Sequence, residues 1–119
     1  GPMLGVIRTP IRPKETTGEL EDRLAALAPA LTLSVVEQLA AGTAVAVEQD
    51  PARVTHVGKL EKAAGRIPWS RSAVELERHV RGMQPWPGPF TMLWQPAKPP
   101  LRLQLVDVEP VAATDDHPP

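Results

Sequence analysis

The sequence predicts an α+β fold: one long helix with short strands, a linker helix, and a partial barrel segment of two strands. Three observations carry that reading. Apolar residues recur at steps of three or four from Leu20 to Leu39, directly behind a helix-start signal. They alternate instead at Phe90, Met92 and Trp94, and again at Leu101, Leu103 and Leu105. The 15 prolines among 119 residues, well above the average of about 5%, cut the chain into short pieces.

Residues 3–13 read as a short edge strand over Leu4–Thr9, because Pro10 and Pro13 cannot donate to a central ladder. Thr16 and Glu19 form a capping box, so a helix should start there. Leu20, Leu24, Leu27, Leu31, Val35 and Leu39 place one stripe along it, expected to be core. Pro29 should kink this helix near Leu27, and Gly42 should end it. Thr43–Asp50 is β-branched enough for a strand, closed by Pro51, and Val54–Val57 is expected to pair with it.

Between Gly58 and Trp69 the pattern is that of an ordered loop carrying Lys59, Lys62 and Arg66. Ser72 and Glu75 make a second capping box. Ala73, Leu76, Val80 and Met83 follow as the apolar side of a short helix closed by Gly82. Pro85-Trp86-Pro87-Gly88-Pro89 is a rigid, shaped turn and marks a boundary. Phe90–Gln95 is a strand, and Leu101–Glu109 a second, joined by PAKPP, with a β-bulge where the apolar phase moves to Val106. Phe90, Trp94, Leu103 and Leu105 are expected to share its apolar face. Residues 112–119 lack any pattern and are expected to form a disordered tail.

Composition narrows the function. Charged residues at 23% and apolar residues at 42% belong to a folding, globular chain. The absence of Cys excludes disulfides, thiolate metal sites and a Cys nucleophile, and fits a reducing cytoplasm. No uncharged apolar run reaches the ~20 residues of a membrane span, so no membrane is expected. The net charge of −1 hides a polarity: residues 53–82 hold 7 Lys/Arg against 3 Asp/Glu, whereas residues 1–52 hold 4 against 7 and residues 83–119 hold 2 against 4. A basic middle segment is the electrostatic footprint expected for a polyanion, although such a run also serves simply as a solvated face.

The stretch from Thr55 to Thr91, THVGKLEKAAGRIPWSRSAVELERHVRGMQPWPGPFT, resembles the methionyl-tRNA formyltransferase family. Lys59-Leu60, Lys62, Gly65, Ile67 and Trp69 stand where that family has its Lys-Leu-x-Lys-x-x-Gly-x-Ile-x-Trp linker. Ser72-Ala73, Arg81-Gly82 and Pro85-Trp86-Pro87-Gly88 follow in order at the family's spacing. Gly58 and Pro68 depart from its usual residues. The resemblance implies that residues 1–57 are the end of a catalytic domain, 58–89 a basic linker with a short helix, and 90–111 the start of a C-terminal OB-like domain. It implies a parent reaction, formyl transfer from 10-formyltetrahydrofolate to the amino group of initiator methionyl-tRNA. The family's folate loop and its Asn-His-Asp set would lie before residue 1, and the chain contains no Asn, so no catalytic or cofactor-binding residue is expected and the chain alone is expected to be inactive.

Neither His79, read as a solvated helix-face position, nor His56, which has no carboxylate partner nearby in sequence, is expected to be catalytic, and Glu19, Glu21 and Asp22 read as first-turn charge favouring the helix dipole. No metal-ligand spacing is present. The residues expected to meet tRNA phosphates, weakly and with strong salt dependence, are Lys59, Lys62, Arg66, Arg71 and Arg81. Trp69, Trp86, Gly65, Gly82 and Gly88 are expected as structural anchors. The leading reading is a fragment or truncated relative of the formyltransferase that keeps the tRNA-contacting parts. The alternatives are a stand-alone, non-catalytic interaction or oligomerisation module, and a fragment of a sugar-nucleotide or folate formyltransferase. Two strands cannot close a barrel, so a homo-oligomer through residues 90–109, or a complex with an N-terminal half, is expected.

Overall fold

The computed structural model describes residues 1–112, and its elements are α1 (Thr17–Ala40), α2 (Ala73–Gly82), β1 (Phe90–Gln95) and β2 (Lys98–Gln104), with 3-10 turns at Pro51–Arg53 and Lys62–Gly65. This is the α+β class. The chain divides into two compact units, Gly1–Glu15 with Glu19–Lys59, and Thr16–Gly18 with the residues from Leu60 onward. The tail expected over 112–119 lies outside the described residues except for Ala112.

In the first unit α1 runs through Pro29 and ends in a Schellman arrangement. Thr43 N donates to Gln38 O at 2.9 Å, Gly42 N donates to Leu39 O at 3.2 Å, and Gly42 takes the left-handed φ of +68°. Leu20, Leu27, Leu31 and Val35 are half-buried, whereas Leu24 and Leu39 are exposed, and no residue of α1 is fully buried. The stripe is therefore a half-covered face and not a core. The N-terminal segment lies on it, closely enough that a Cβ at Gly5 would meet Leu31 and Val35 side-chain carbons at 2.9 and 2.8 Å. By length and composition alone α1 is long and apolar enough to cross a membrane, although no uncharged run in it reaches ~20 residues: it is rich in Ala and Leu and carries its charges near its two ends.

No ladder forms at Leu4–Thr9, nor a hairpin between Thr43–Asp50 and Val54–Val57; a single antiparallel bridge joins Met3 to Val47. The expected hairpin fails because Asp50 caps a 3-10 turn, its Oδ1 accepting from Ala52 N at 2.9 Å, and both flanking runs stay exposed with no third strand to pack against. The segment before α1 is fastened by charge instead. The Arg23 guanidinium donates to both carboxylate oxygens of Glu15 at 2.8 Å, to the Thr9 hydroxyl and to Pro10 O at 2.7 Å. Arg12 N also donates to Glu15 at 2.8 Å. The Arg23 hydrogen bonds, helped by that backbone bond, hold the Glu15 carboxyl down from its ordinary 4.5 to about 2.

In the second unit β1 and β2 pair antiparallel, with Phe90 opposite Gln104, Thr91 opposite Leu103, Met92 opposite Arg102, Leu93 opposite Leu101 and Gln95 opposite Lys98. Between the last two pairs, Trp94 faces both Pro99 and Pro100, so the irregularity sits where neither proline could donate. That moves β2 earlier than the sequence suggested, makes Pro96-Ala97 the turn, with Ala97 at a φ of +56°, and leaves residues 105–109 outside the ladder. The register also corrects the expected apolar face. Phe90 and Met92 share a face with Arg102 and Gln104, and the Arg102 guanidinium lies 4.0 Å from the Phe90 ring centroid. Leu103 stands on the opposite face with Thr91, Leu93 and Leu101.

Gly65 and Gly82 should respond oppositely to alanine. A Cβ at Gly65 would fall well inside contact distance of Gly88 O, whereas one at Gly82 meets nothing within 4 Å. Gly65→Ala should cost about 1–3 kcal/mol or more in urea denaturation, and Gly82→Ala, inside α2, should gain roughly 0.5–1 kcal/mol. The Glu15 pair sets a pH window. Its carboxyl titrates lower folded than unfolded, so its contribution is present above about 4.5 and is lost as pH falls towards about 2. Melting temperature followed from pH 7 to pH 2 should fall less steeply in Glu15→Gln than in the parent chain.

Candidate nucleic-acid interface

The basic segment is built on backbone contacts. Glu61 precedes a 3-10 turn at Lys62–Gly65, in which Ala64 N donates to Glu61 O and Arg66 N to Ala63 O, both at 3.0 Å. Gly65 is buried against the Gly88 carbonyl. Arg66 forms a parallel bridge with Phe90, and Ile67, itself buried, donates its N–H to Phe90 O at 2.8 Å. This fixes the backbone on either side of Arg66 while leaving the Lys62 and Arg66 side chains exposed. Arg71 follows a turn closed by its own N–H to Pro68 O at 3.0 Å, and is exposed as well.

Helix α2 begins with the expected capping box. Glu75 N donates to Ser72 Oγ at 3.4 Å, while Ser72 N and Oγ donate to Glu75 Oε2 at 3.0 and 2.6 Å. The Ser72 hydroxyl, then its amide, and beyond them the Arg71 and Arg78 charges lower the Glu75 carboxyl pKa. Val80 is 2% exposed and seats the helix. Val80 also lines, with Ile67, Trp69, Ala73, Leu76 and Leu105, an apolar groove of about 210 Å³.

The structure treats the candidate cations differently. Lys62, Arg66 and Arg71 have no carboxylate within ion-pair distance among the described residues, and Glu61 does not reach Lys62. Lys59 is exposed and falls in the first unit. Arg81 is bound within α2: its Nε donates to Glu77 Oε1 at 2.7 Å and its Nη2 to Oε2 at 3.1 Å, and Glu77 is buried. The signal for that pair, Glu and Arg four residues apart, stands in the sequence. Nothing in the sequence marked Thr91 as the acceptor for Trp69 Nε1 at 2.9 Å. Trp69 remains 62% exposed and Trp86 49%, so each indole keeps a wet surface.

Trp86 lies in a turn whose Gln84-Pro85 and Trp86-Pro87 peptides are cis and whose Gly88 has a φ of +81°. Gly88 N donates to Met83 O at 2.9 Å, and Gln84 Nε2 to Val106 O at 2.6 Å. Gly82 serves through its carbonyl, which accepts from Thr17 Oγ1 at 2.8 Å. Among the described residues no three His, Asp or Glu side chains group as metal ligands would.

A family model described as formyl transferase, C-terminal domain, matches residues 59–119. A methionyl-tRNA formyltransferase of Pseudomonas fluorescens (strain Pf-5) is 51% identical over 87 residues, which cover 73% of this chain and 27% of the relative. That of Pseudomonas paraeruginosa is 49% identical over 87 residues, covering 73% and 28%. One from Akkermansia muciniphila is 39% identical over 98 residues, covering 82% and 31%. The chain thus spans between a quarter and a third of the length of these relatives.

The Arg81 and Glu77 geometry generates a separable expectation. Arg81→Ala leaves a buried carboxylate without its bidentate partner and should lower unfolding free energy by about 1–3 kcal/mol. Urea denaturation monitored by Trp fluorescence reads this directly.

Proposed function

For a chain that belongs to the formyl transferase family through its C-terminal domain, we propose a role in holding the tRNA on which formyl transfer takes place. Lys59, Lys62, Arg66 and Arg71 neutralise phosphates, while Arg81 holds Glu77 instead. One observation carries the reading: Lys62, Arg66 and Arg71 are exposed and without an acid partner among the described residues, on a segment whose backbone is fixed to β1. A structural loop gains little from three unpaired cations; a phosphate-binding frame requires them. The relatives' name, methionyl-tRNA formyltransferase, supplies the substrate class.

The same reading takes β1 and β2 as the start of an OB-like domain and the whole as a cytoplasmic unit. It assigns binding to this chain, and not the transfer from 10-formyltetrahydrofolate, because the sequence holds no Asn for the family's catalytic set. A second reading, an interaction module that pairs with another copy of itself, is favoured by Leu93, Leu101 and Leu103, exposed together on one face of the sheet.

The chain should bind unfractionated bacterial tRNA with an affinity that falls steeply with salt. Lys62→Ala with Arg66→Ala should flatten the plot of log K against log salt by about one to two units. Fluorescence anisotropy gives the slope, and light scattering on the same samples separates the readings. A slope unchanged in the double variant, with a mass that doubles as the free chain is concentrated, would replace the first reading by the second.

A further inference from the structure

We propose that the open edge of β2 pairs with the same edge of a second copy of this chain, antiparallel and centred on Leu103. The inference sharpens the interaction-module reading above to one edge and one register, and it needs no RNA. Among the described residues the sheet has two strands, and β2 is exposed along its whole length. Leu105 N donates to Pro89 O at 3.0 Å, which makes that pair a hydrogen-bonded rung of the ladder. Rungs alternate in an antiparallel pair, so Leu103 and Leu101 also bond inward to β1. Arg102 and Gln104 then aim their backbone N–H and C=O groups away from β1, at the open edge. Two contacts agree with this phase. Phe90, opposite Gln104, turns its carbonyl away from β2 to accept from Ile67 N, and Val106, next in the outward series, accepts from the Gln84 side chain.

The order of charges says what covers this edge. From Lys98 to Glu109 the cations come first, Lys98 and Arg102, and the acids last, Asp107 and Glu109, and all four are exposed. Two antiparallel copies bring the basic start of each beside the acidic end of the other, whereas parallel copies would set like beside like. The register follows from the groups that remain. Pro99 and Pro100 have no N–H, so the pairing rests on Arg102 and Gln104. Centred on Leu103, Arg102 exchanges both backbone bonds with the partner's Gln104, and the twofold axis repeats them. Moved one rung towards the prolines, Arg102 would face the partner's Arg102, a like-charge pair. Moved the other way, it would face the partner's Val106, whose carbonyl already accepts from Gln84. On the face that holds Leu93 and Leu101, Leu103 meets the partner's Leu103, and the exposed leucines of both copies join into one stripe. Four strands with an apolar face are sturdier than two. Assembly stops at two copies, because Ile67 occupies the other edge of the sheet at Phe90.

The test uses the full chain without RNA. Light scattering across a dilution series should show the mass doubling as concentration rises. Gln104→Pro removes an outward N–H and leaves the bonds to β1, so this variant should stay single while keeping the parent's circular dichroism spectrum. The sequence holds no Cys, so one introduced Cys can link only two copies. Leu103→Cys sets the two thiols across a non-hydrogen-bonded rung with Cα atoms about 4.5 Å apart, within disulfide reach. Leu101→Cys sets them roughly 14 Å apart along the strands. Mild oxidation should therefore convert Leu103→Cys into a linked dimer and leave Leu101→Cys unlinked. A single mass at every concentration overturns the proposal, as does a dimer that survives Gln104→Pro, or linking of Leu101→Cys as fast as Leu103→Cys. If Gln104→Pro unfolds, the two cysteine variants decide. Failure here leaves the tRNA-holding role intact, and a chain that binds no tRNA still has this dimer to show or to lack.

Discussion

The second unit depends on a contact that only glycine allows. Gly65 is pressed against the carbonyl of Gly88, and Gly88 adopts a left-handed φ of +81° that turns this carbonyl inward. The approach brings the chain after Gly65 alongside β1, where Ile67 N reaches Phe90 O and Arg66 bridges Phe90. Ile67 then buries beside the groove it shares with α2. What reads as a linker is in this way an extra edge of the strand pair, and its cations inherit a fixed backbone.

Electrostatics divides the labour among the arginines. Where an arginine organises the fold, a carboxylate is buried to meet it, as Glu15 meets Arg23 and Glu77 meets Arg81. Burying such a pair is unprofitable unless both forks are satisfied, and both are bidentate. Arg66, Arg71 and Arg78 receive no such partner among the described residues.

The sequence made α1, α2, its capping box and β1 legible, because each is written in a local signal: a period, a cap, an alternation. Gly65 and Gly88 were legible through the family motifs that they match, although the contact between them was not. The strands after Gly42 were misread since Val45, Val47, Val54 and Val57 have strand-like residues but no partner ladder, and pairing is not a local property. Discounting Pro99 and Pro100 displaced β2 and with it the apolar face, because a register is set by pairs. The Glu15 and Arg23 clasp joins residues on either side of a helix start and leaves no periodic trace.

Native-state hydrogen exchange followed by NMR addresses the central claim, that residues 62–71 form a fixed frame and not a flexible linker. The amides of Ile67, Gly88 and Leu105, bonded respectively to Phe90 O, Met83 O and Pro89 O, should be protected together and share one dependence on denaturant. Ile67 exchanging at the rate of an unstructured amide, while Gly88 and Leu105 stay protected, would contradict the account.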